Sequence, residues 1–166
     1  KEAQARYEKE IAGFIDALTE DEDKWLVFIP QVTSKIHKDD DREPGRRIYG
    51  LLKKKERVRL LEGAYDHYRI KAMYKSLDLM VGTRFHSVIF SLTSRVPAIA
   101  IEYEHKTSGI MRELGLSKWV LKMEAVESQK LKSLFDELCQ EKSAYQAHLD
   151  HVLADYLRRD QELPAL

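Results

Sequence analysis

The clearest structural signal in the sequence is the stretch Leu77-Asp78-Leu79-Met80-Val81-Gly82-Thr83-Arg84-Phe85-His86-Ser87-Val88-Ile89-Phe90-Ser91-Leu92. A short apolar run at 79–81 stops at Gly82. Apolar side chains then return at helical spacing, at Phe85, Val88, Ile89 and Leu92. The pattern predicts a strand, a tight turn and a helix, with Thr83 as the residue that caps the helix.

Two basic side chains occupy the first turn of this predicted helix. Arg84 and His86 fall on opposite flanks of the apolar stripe, so the core should leave both uncovered. The free backbone N–H groups and positive dipole end of a helix N-terminus favour an anion, and a guanidinium fork suits phosphate or carboxylate. The stretch therefore predicts a site for acid chemistry on a charged substrate.

Apolar runs alternate with helical patterns along the whole chain. Strands are predicted at 25–30, 58–61, 79–81, 96–101 and 119–121. A helix should cover residues 7–18, and one long helix or two shorter ones should follow from about Glu127. The almost continuous apolar character of residues 25–30 predicts a strand covered on both faces, as in a parallel sheet. The alternation predicts a doubly wound, mainly parallel, Rossmann-like α/β sheet with right-handed crossovers.

Ligands of a doubly wound sheet bind beyond the carboxyl ends of its parallel strands. Three loops, at 31–43, 82–86 and 102–108, should converge there. They supply the candidate site residues Asp40, Arg42, Arg84, His86, Tyr103 and Lys106. Several positive groups beside a helix N-terminus would make an anion pocket.

Several conspicuous side chains have an ordinary structural interpretation. The run Asp39-Asp40-Asp41 could hold Mg²⁺, but solvated surface charge is the commoner role of such a run. The histidines do not stand at a recognisable zinc spacing, so no metal is predicted. Tyrosines on the predicted helix after Gly63 are interpreted as packing residues: Tyr65, Tyr68 and Tyr74.

Composition narrows the functional classes. With 166 residues, the chain suits one domain with a sizeable core, and 28 Lys and Arg against 28 Asp and Glu leave no basic field for nucleic acid. The single cysteine, Cys139, cannot form an internal disulfide, which favours the cytoplasm. No apolar run is long enough to span a bilayer, although a peripheral position at the cytoplasmic face of a membrane stays open.

The start of the chain bears on domain organisation. Lys1 already lies in a helical pattern, so we expect residues 1–166 to form a single domain that lacks an N-terminal partner domain of the same protein. Apolar stripes on the terminal helices could leave surface that this partner covers, or that supports a homodimer.

Three phrases of the sequence together resemble a known family. They include Gly82-Thr83-Arg84-Phe85-His86 within 78–86, Tyr103-Glu104-His105-Lys106 within 96–106, and the segment 109–116. With the earlier segments 28–32 and 39–42, they resemble the C-terminal half of the polysaccharide pyruvyltransferases, over about residues 25–121 in family order. Phe85 stands where that family more often has Leu.

The resemblance implies a GT-B-like enzyme of two Rossmann-type domains, of which this chain would be the C-terminal one. Its reaction is transfer of a pyruvyl group from phosphoenolpyruvate to sugar hydroxyls of a surface polysaccharide or its precursor, usually giving a cyclic ketal. The acceptor would be a sugar or a lipid-linked sugar. No cofactor is implied, because phosphoenolpyruvate is the donor substrate.

The resemblance also implies roles for individual residues. The family's Arg-x-His, Tyr-x-x-Lys and acidic-loop positions fall on Arg84 and His86, on Tyr103 and Lys106, and on Asp40 and Arg42. Pyruvyl transfer requires a general acid and anion clamps. His86 would be the acid, while Arg84 and Lys106 would hold phosphate and carboxylate.

Two other functions are open on the residues alone, since a fold does not fix a function. The chain could be the donor-binding half of a nucleotide-sugar glycosyltransferase, because the same architecture serves both enzymes. It could also be a non-catalytic domain that binds an anionic sugar or a protein partner.

Overall fold

The computed structural model describes residues 2–34, 39–103 and 105–161. The chain divides into two compact units, one formed by residues 1–70 and 122–135 and the other by residues 71–121 and 136–166. Each unit combines helices with a pair of parallel strands. This confirms the predicted Rossmann-like α/β fold class, while the GT-B architecture and the single-domain organisation stay predictions.

The first unit is built from α1 (Glu2–Leu18), β1 (Leu26–Phe28), β2 (Thr33–Ser34), β3 (Asp39–Asp40), α2 (Arg42–Leu51), β4 (Val58–Leu60) and the start of α3 (His67–Lys75). β1 and β4 are parallel, with Leu26 opposite Val58 and Phe28 opposite Leu60. The predicted stripe of α1 is confirmed as core: Ile11, Phe14, Ile15 and Leu18 are buried. At the edge of this core, the buried Glu8 carboxylate accepts a 2.7 Å hydrogen bond from Arg47 Nη2 on α2.

The expectation that β1 is covered on both faces is wrong. Val27 in its middle is 38% exposed, and Trp25 just before it is 64% exposed. Successive side chains of a strand point to opposite faces. The flanking Leu26 and Phe28 are half-buried, so one face of β1 is partly covered and the other reaches solvent. An apolar run predicts the strand, but not what packs on each of its faces.

The polar segment predicted as a loop at 31–43 contains a hairpin. β2 and β3 pair in antiparallel fashion, with Thr33 opposite Asp40. α2 then begins at Arg42, before the end of the predicted loop. The acidic run therefore consists of β3 and the residue that precedes α2.

A close approach joins α1 to the start of the C-terminal helix α6 (Ser128–Gln161), which is one continuous helix. Glu10 Oε2 accepts a 2.7 Å hydrogen bond from the Ser128 backbone N–H. A Cβ atom at Gly13 would lie 2.6 Å from Ser128 Oγ, so the glycine makes room for this contact. Residues 128–135 of α6 belong to the first unit, and the remainder belongs to the second.

The second unit contains β5 (Met80–Gly82), α4 (Phe85–Thr93), β6 (Ala98–Glu102), α5 (His105–Glu113), β7 (Val120–Lys122) and most of α6. The strand order is β5-β6-β7, and β5 is parallel to β6 with Gly82 opposite Ala100. All five residues of β6 are buried, which is typical of an interior strand in a parallel sheet. From α6, the Tyr145 hydroxyl donates to the Ala98 carbonyl oxygen at 3.2 Å. Within the part of the chain that the structure describes, no helix is both long and apolar enough to cross a membrane.

Candidate functional site

The turn between β5 and α4 carries the centre of the candidate site. Arg84, in an extended conformation (φ −84°, ψ 135°), is the N-cap residue of α4. The expectation that Thr83 caps the helix is wrong, because Thr83 lies one residue further out. Ser87 Oγ donates a 2.6 Å hydrogen bond to the Arg84 carbonyl oxygen. A Cβ atom at Gly82 would lie 2.6 Å from both Ser87 Oγ and Met80 Sδ, so this tight turn requires the glycine.

The N-terminus of α4 receives no hydrogen bond from the side chain of its own N-cap residue, Arg84. An arginine has no acceptor to offer to the first backbone N–H groups. The N-terminus of α3 differs, because Asp66 Oδ1 accepts the Arg69 backbone N–H at 2.8 Å. α4 thus begins with a cation where α3 begins with a capping carboxylate, and an anion would complement the first of these ends.

The loop after β6 reaches the same edge of the sheet. β5 and β6 are parallel neighbours, so their carboxyl ends lie side by side. Arg84 Nη1 donates a 3.3 Å hydrogen bond to Tyr103 Oη, and Tyr103 is 47% exposed. His86 and Lys106 are both exposed, in the first turns of α4 and α5. The structure therefore brings four of the six predicted site residues to one edge of the second unit.

His86 has the accessibility that a proton donor needs. Its ring lies 5.7 Å from the Phe85 ring and 6.5 Å from the Phe90 ring, measured between centroids. These aromatic neighbours stand on the same helix, so they constrain the imidazole without covering it. The prediction that the core leaves His86 uncovered is confirmed.

A buried carboxylate that the sequence analysis missed shapes the turn that carries Tyr103 and Lys106. Glu102, the last residue of β6, is 8% exposed and accepts a hydrogen bond from Ser108 Oγ. α5 begins at His105, within the predicted loop 102–108. A carboxylate at the end of a buried strand was the available signal, because such a group requires a donor nearby.

Arg42 and Asp40 form a closed pair in the first unit. Arg42 Nη2 lies 2.6 Å from Asp40 Oδ2, Nη1 donates to the Glu62 carbonyl oxygen at 2.9 Å, and Nη2 reaches the Thr33 carbonyl oxygen at 3.4 Å. Hydrogen bonds from Arg42 lower the pKa of Asp40 to about 2. Both side chains are only 13% exposed, so the interpretation of the acidic run as solvated charge is wrong for Asp40.

Asp41, the next residue of the run, also has a structural role. Its Oδ2 accepts the backbone N–H groups of Gln31 and Val32, each at 3.0 Å. It therefore ties the start of α2 to the segment that follows β1. Among the described residues, no group of three or more His, Cys, Asp or Glu side chains is placed to hold a metal ion.

The six predicted site residues divide between the two units. Asp40 and Arg42 lie in the first, and the second holds Arg84, His86, Tyr103 and Lys106. The convergence of all six in one anion pocket stays a prediction.

Comparison with known proteins agrees with the motifs. Residues 1–105 match the family model of the polysaccharide pyruvyl transferases. The amylovoran biosynthesis protein AmsJ of Erwinia amylovora is 34% identical over 77 residues, which are 46% of this chain and 19% of that protein. The chain thus matches less than a fifth of this relative's length, and no solved structure matches it. Because the family model covers more than half of the sequence, the chain belongs to the polysaccharide pyruvyl transferase family.

Proposed function

We propose that this chain binds phosphoenolpyruvate and takes part in the transfer of its pyruvyl group to sugar hydroxyls, forming a ketal during surface or exopolysaccharide biosynthesis. The observation that carries the proposal is the Arg84–Tyr103 contact across the carboxyl ends of β5 and β6. It stands in a segment, residues 1–105, that matches the family model.

The donor is a dianionic or trianionic molecule with a carboxylate and a phosphate. In the proposal, Arg84 presents a planar fork to one of these groups, and the Tyr103 hydroxyl helps to fix the guanidinium. Lys106, exposed in the first turn of α5, supplies a second positive charge. The first N–H groups of α4 add a positive partial charge on the same side.

His86 is the proposed proton donor. As an imidazolium it gives a proton to the methylene carbon of phosphoenolpyruvate, which becomes a methyl group and leaves an oxocarbenium-like centre at the adjacent carbon. A sugar hydroxyl attacks this carbon and gives up its proton, which returns to the His86 imidazole. Phosphate then leaves with its bonding electron pair, and a second hydroxyl closes the ketal while its proton passes to the departing phosphate. Arg84 and Lys106 would stabilise the negative charge that gathers on the departing phosphate.

The remaining expectations on organisation belong to the same proposal. The chain would be the C-terminal domain of a GT-B-like enzyme, working in the cytoplasm on a sugar or lipid-linked sugar. Asp40 and Arg42 would then support the loop after β1 rather than touch the donor, because their charged groups already pair with each other. A homodimer through the terminal helices is the corresponding expectation for assembly.

Backbone-amide NMR of this chain tests the donor site directly. Titration with phosphoenolpyruvate should shift the amides of residues 82–86 and 103–109, and UDP-glucose should shift none of them. Arg84→Ala should abolish the shifts, since it removes the guanidinium fork.

Arg112→Ala is the matched control for that experiment. Arg112 is an exposed arginine of the same unit, in the last turn of α5 rather than near its start. Its removal changes the net charge by the same amount and should leave the titration unchanged. Shifts by UDP-glucose without shifts by phosphoenolpyruvate would contradict the proposal.

A further inference from the structure

An exposed pair of stacked rings lies beyond the carboxyl end of β4. Tyr68, in the first turn of α3, is 75% exposed. Its ring centroid lies 3.9 Å from that of His67, with 38° between the ring planes. The packing interpretation is confirmed for Tyr74, which is 2% exposed, and is wrong for Tyr68.

The backbone that carries this pair is held in place by its own side chains. A Cβ atom at Gly63 would lie 2.8 Å from Tyr65 Cζ, so the Tyr65 ring lies directly against the loop. Asp66 then caps α3, because its Oδ1 accepts the Arg69 backbone N–H at 2.8 Å. The two rings therefore sit on a fixed helix start, and little conformational freedom would be lost when a ligand stacks on them.

We propose that the His67–Tyr68 pair is a stacking platform for a pyranose ring of the acceptor saccharide. The inference rests on the proposed function, which supplies a sugar as acceptor. A pyranose presents an apolar face of C–H groups and a rim of hydroxyls. The first suits a rigid aromatic ring, and the second suits polar groups around it.

The polar groups around the pair fit such a ligand. Asp66 and Arg69 form an ion pair of 3.6 Å, with 56% and 71% of their side chains exposed. The solvent-facing oxygen and nitrogen atoms of these two side chains can form hydrogen bonds with sugar hydroxyls in place of water. The Tyr68 hydroxyl adds a donor and acceptor at the ring edge. The location also fits, because the carboxyl ends of parallel strands are where α/β sheets bind ligands.

Trp25 is the other strongly exposed aromatic side chain in the described part of this unit. It differs from Tyr68 in its location on the sheet and in the groups around its ring. It precedes β1, at the amino end of the strand pair. The guanidinium carbons of Arg59 and Arg57 lie 5.0 Å and 6.0 Å from its ring centroid. Cations already occupy that ring, which makes Trp25 a matched control of similar exposure.

Saturation-transfer NMR with methyl α-glucopyranoside, methyl α-galactopyranoside and methyl α-mannopyranoside tests the platform. At least one of the three should bind the chain, and Tyr68→Ala should weaken that binding by about tenfold. Tyr68→Trp should restore it, because an indole offers the same stacking face. Trp25→Ala should leave the affinity unchanged.

The outcomes separate this inference from the donor proposal. Equal binding by wild type and Tyr68→Ala would overturn the platform, and so would the absence of binding by all three glycosides. Saccharide binding that depends on Tyr68 would support the platform even if phosphoenolpyruvate failed to bind near Arg84. The circular dichroism spectrum and unfolding midpoint of Tyr68→Ala should match wild type, because the side chain packs little.

Discussion

Arg42 and Arg84 each lie two residues after the end of a strand, at the start of a helix, yet their side chains have different roles. The Arg42 guanidinium donates hydrogen bonds to Asp40 and to backbone carbonyl oxygens of its own unit. Arg84 starts a helix, makes no capping bond with its side chain, and donates to the hydroxyl of a half-exposed tyrosine. The first arginine closes a turn of its own segment, whereas the second links the turn after β5 to the loop after β6.

The difference shows that residue type and position along the fold do not determine the role of a charged side chain. The carboxylate of Asp40, two residues before Arg42, pairs with the Arg42 guanidinium within the turn. The corresponding position before Arg84 is Gly82, which has no side chain at all. The role depends on the neighbours that folding supplies, and four experiments test this difference between the two arginines.

The largest effect is expected from His86→Gln, measured as phosphate release from phosphoenolpyruvate in a preparation that transfers pyruvyl groups. Loss of a general acid should lower turnover by about 100-fold or more. The unfolding midpoint should stay at the wild-type value, because His86 is exposed. Turnover within a few-fold of wild type would remove His86 from the proposed mechanism.

The second experiment removes each arginine in turn and compares the effects on binding and on stability. Arg84→Ala should weaken phosphoenolpyruvate binding by roughly 10- to 100-fold, the value of one or two charge-assisted hydrogen bonds, with little loss of stability. Arg42→Ala should lower the unfolding midpoint and leave the binding constant unchanged. Calorimetry measures phosphoenolpyruvate binding by both variants, and thermal melts measure their stability. Weaker binding by Arg42→Ala alone would contradict the assigned roles.

A third pair of variants probes the β5–α4 turn through its backbone. Gly82→Ala should destabilise the chain by about 1–3 kcal/mol, because Met80 can move aside but Ser87 Oγ is held by its bond to Arg84. Gly109→Ala is the control, since a Cβ atom there meets nothing within 4 Å on a helix of the same unit. It should stabilise by about 0.4–1 kcal/mol. Urea titration of both variants measures the difference, and equal effects would contradict the tight turn.

The smallest effect concerns acid stability. The pKa of Asp40 in the folded chain, about 2, lies below its ordinary value of 3.8. The Asp40–Arg42 contribution to stability is therefore complete above pH 3.8 and is lost as the pH falls towards about 2. Unfolding midpoints at about pH 4 and about pH 2.5 should fall further in wild type than in Arg42→Ala. Parallel losses in the two proteins would show that the pair carries no such linkage.

Much of the candidate site could be predicted from local sequence. The apolar run before Gly82 and the helical spacing after it place Arg84 and His86 in one turn. The parallel arrangement of the neighbouring strands follows from alternating strands and helices, and it brings Tyr103 to Arg84. These features depend on short-range periodicity and on the chirality of crossovers, which a sequence displays directly.

Other features depend on neighbours distant in sequence and could not be predicted. Arg95 adopts a positive φ of 60° after α4, at a position where glycine is usual. Its guanidinium bonds to Asp150 on α6, and Gln146 Nε2 reaches its carbonyl oxygen at 3.4 Å. Contacts with a helix about fifty residues away thus accompany a conformation that its local sequence disfavours.

Local sequence indicated the alternation of the parallel strands with helices and the family, because periodicity and short motifs are properties of neighbouring residues. Tertiary packing set the partners of the charged groups: Asp40 pairs with Arg42, Asp41 accepts two backbone N–H groups, and the buried Glu102 accepts a hydrogen bond from Ser108. It also decided that Tyr68 and Trp25 are exposed. Hydrogen bonding and burial depend on atoms that folding brings together, and no local pattern specifies those partners.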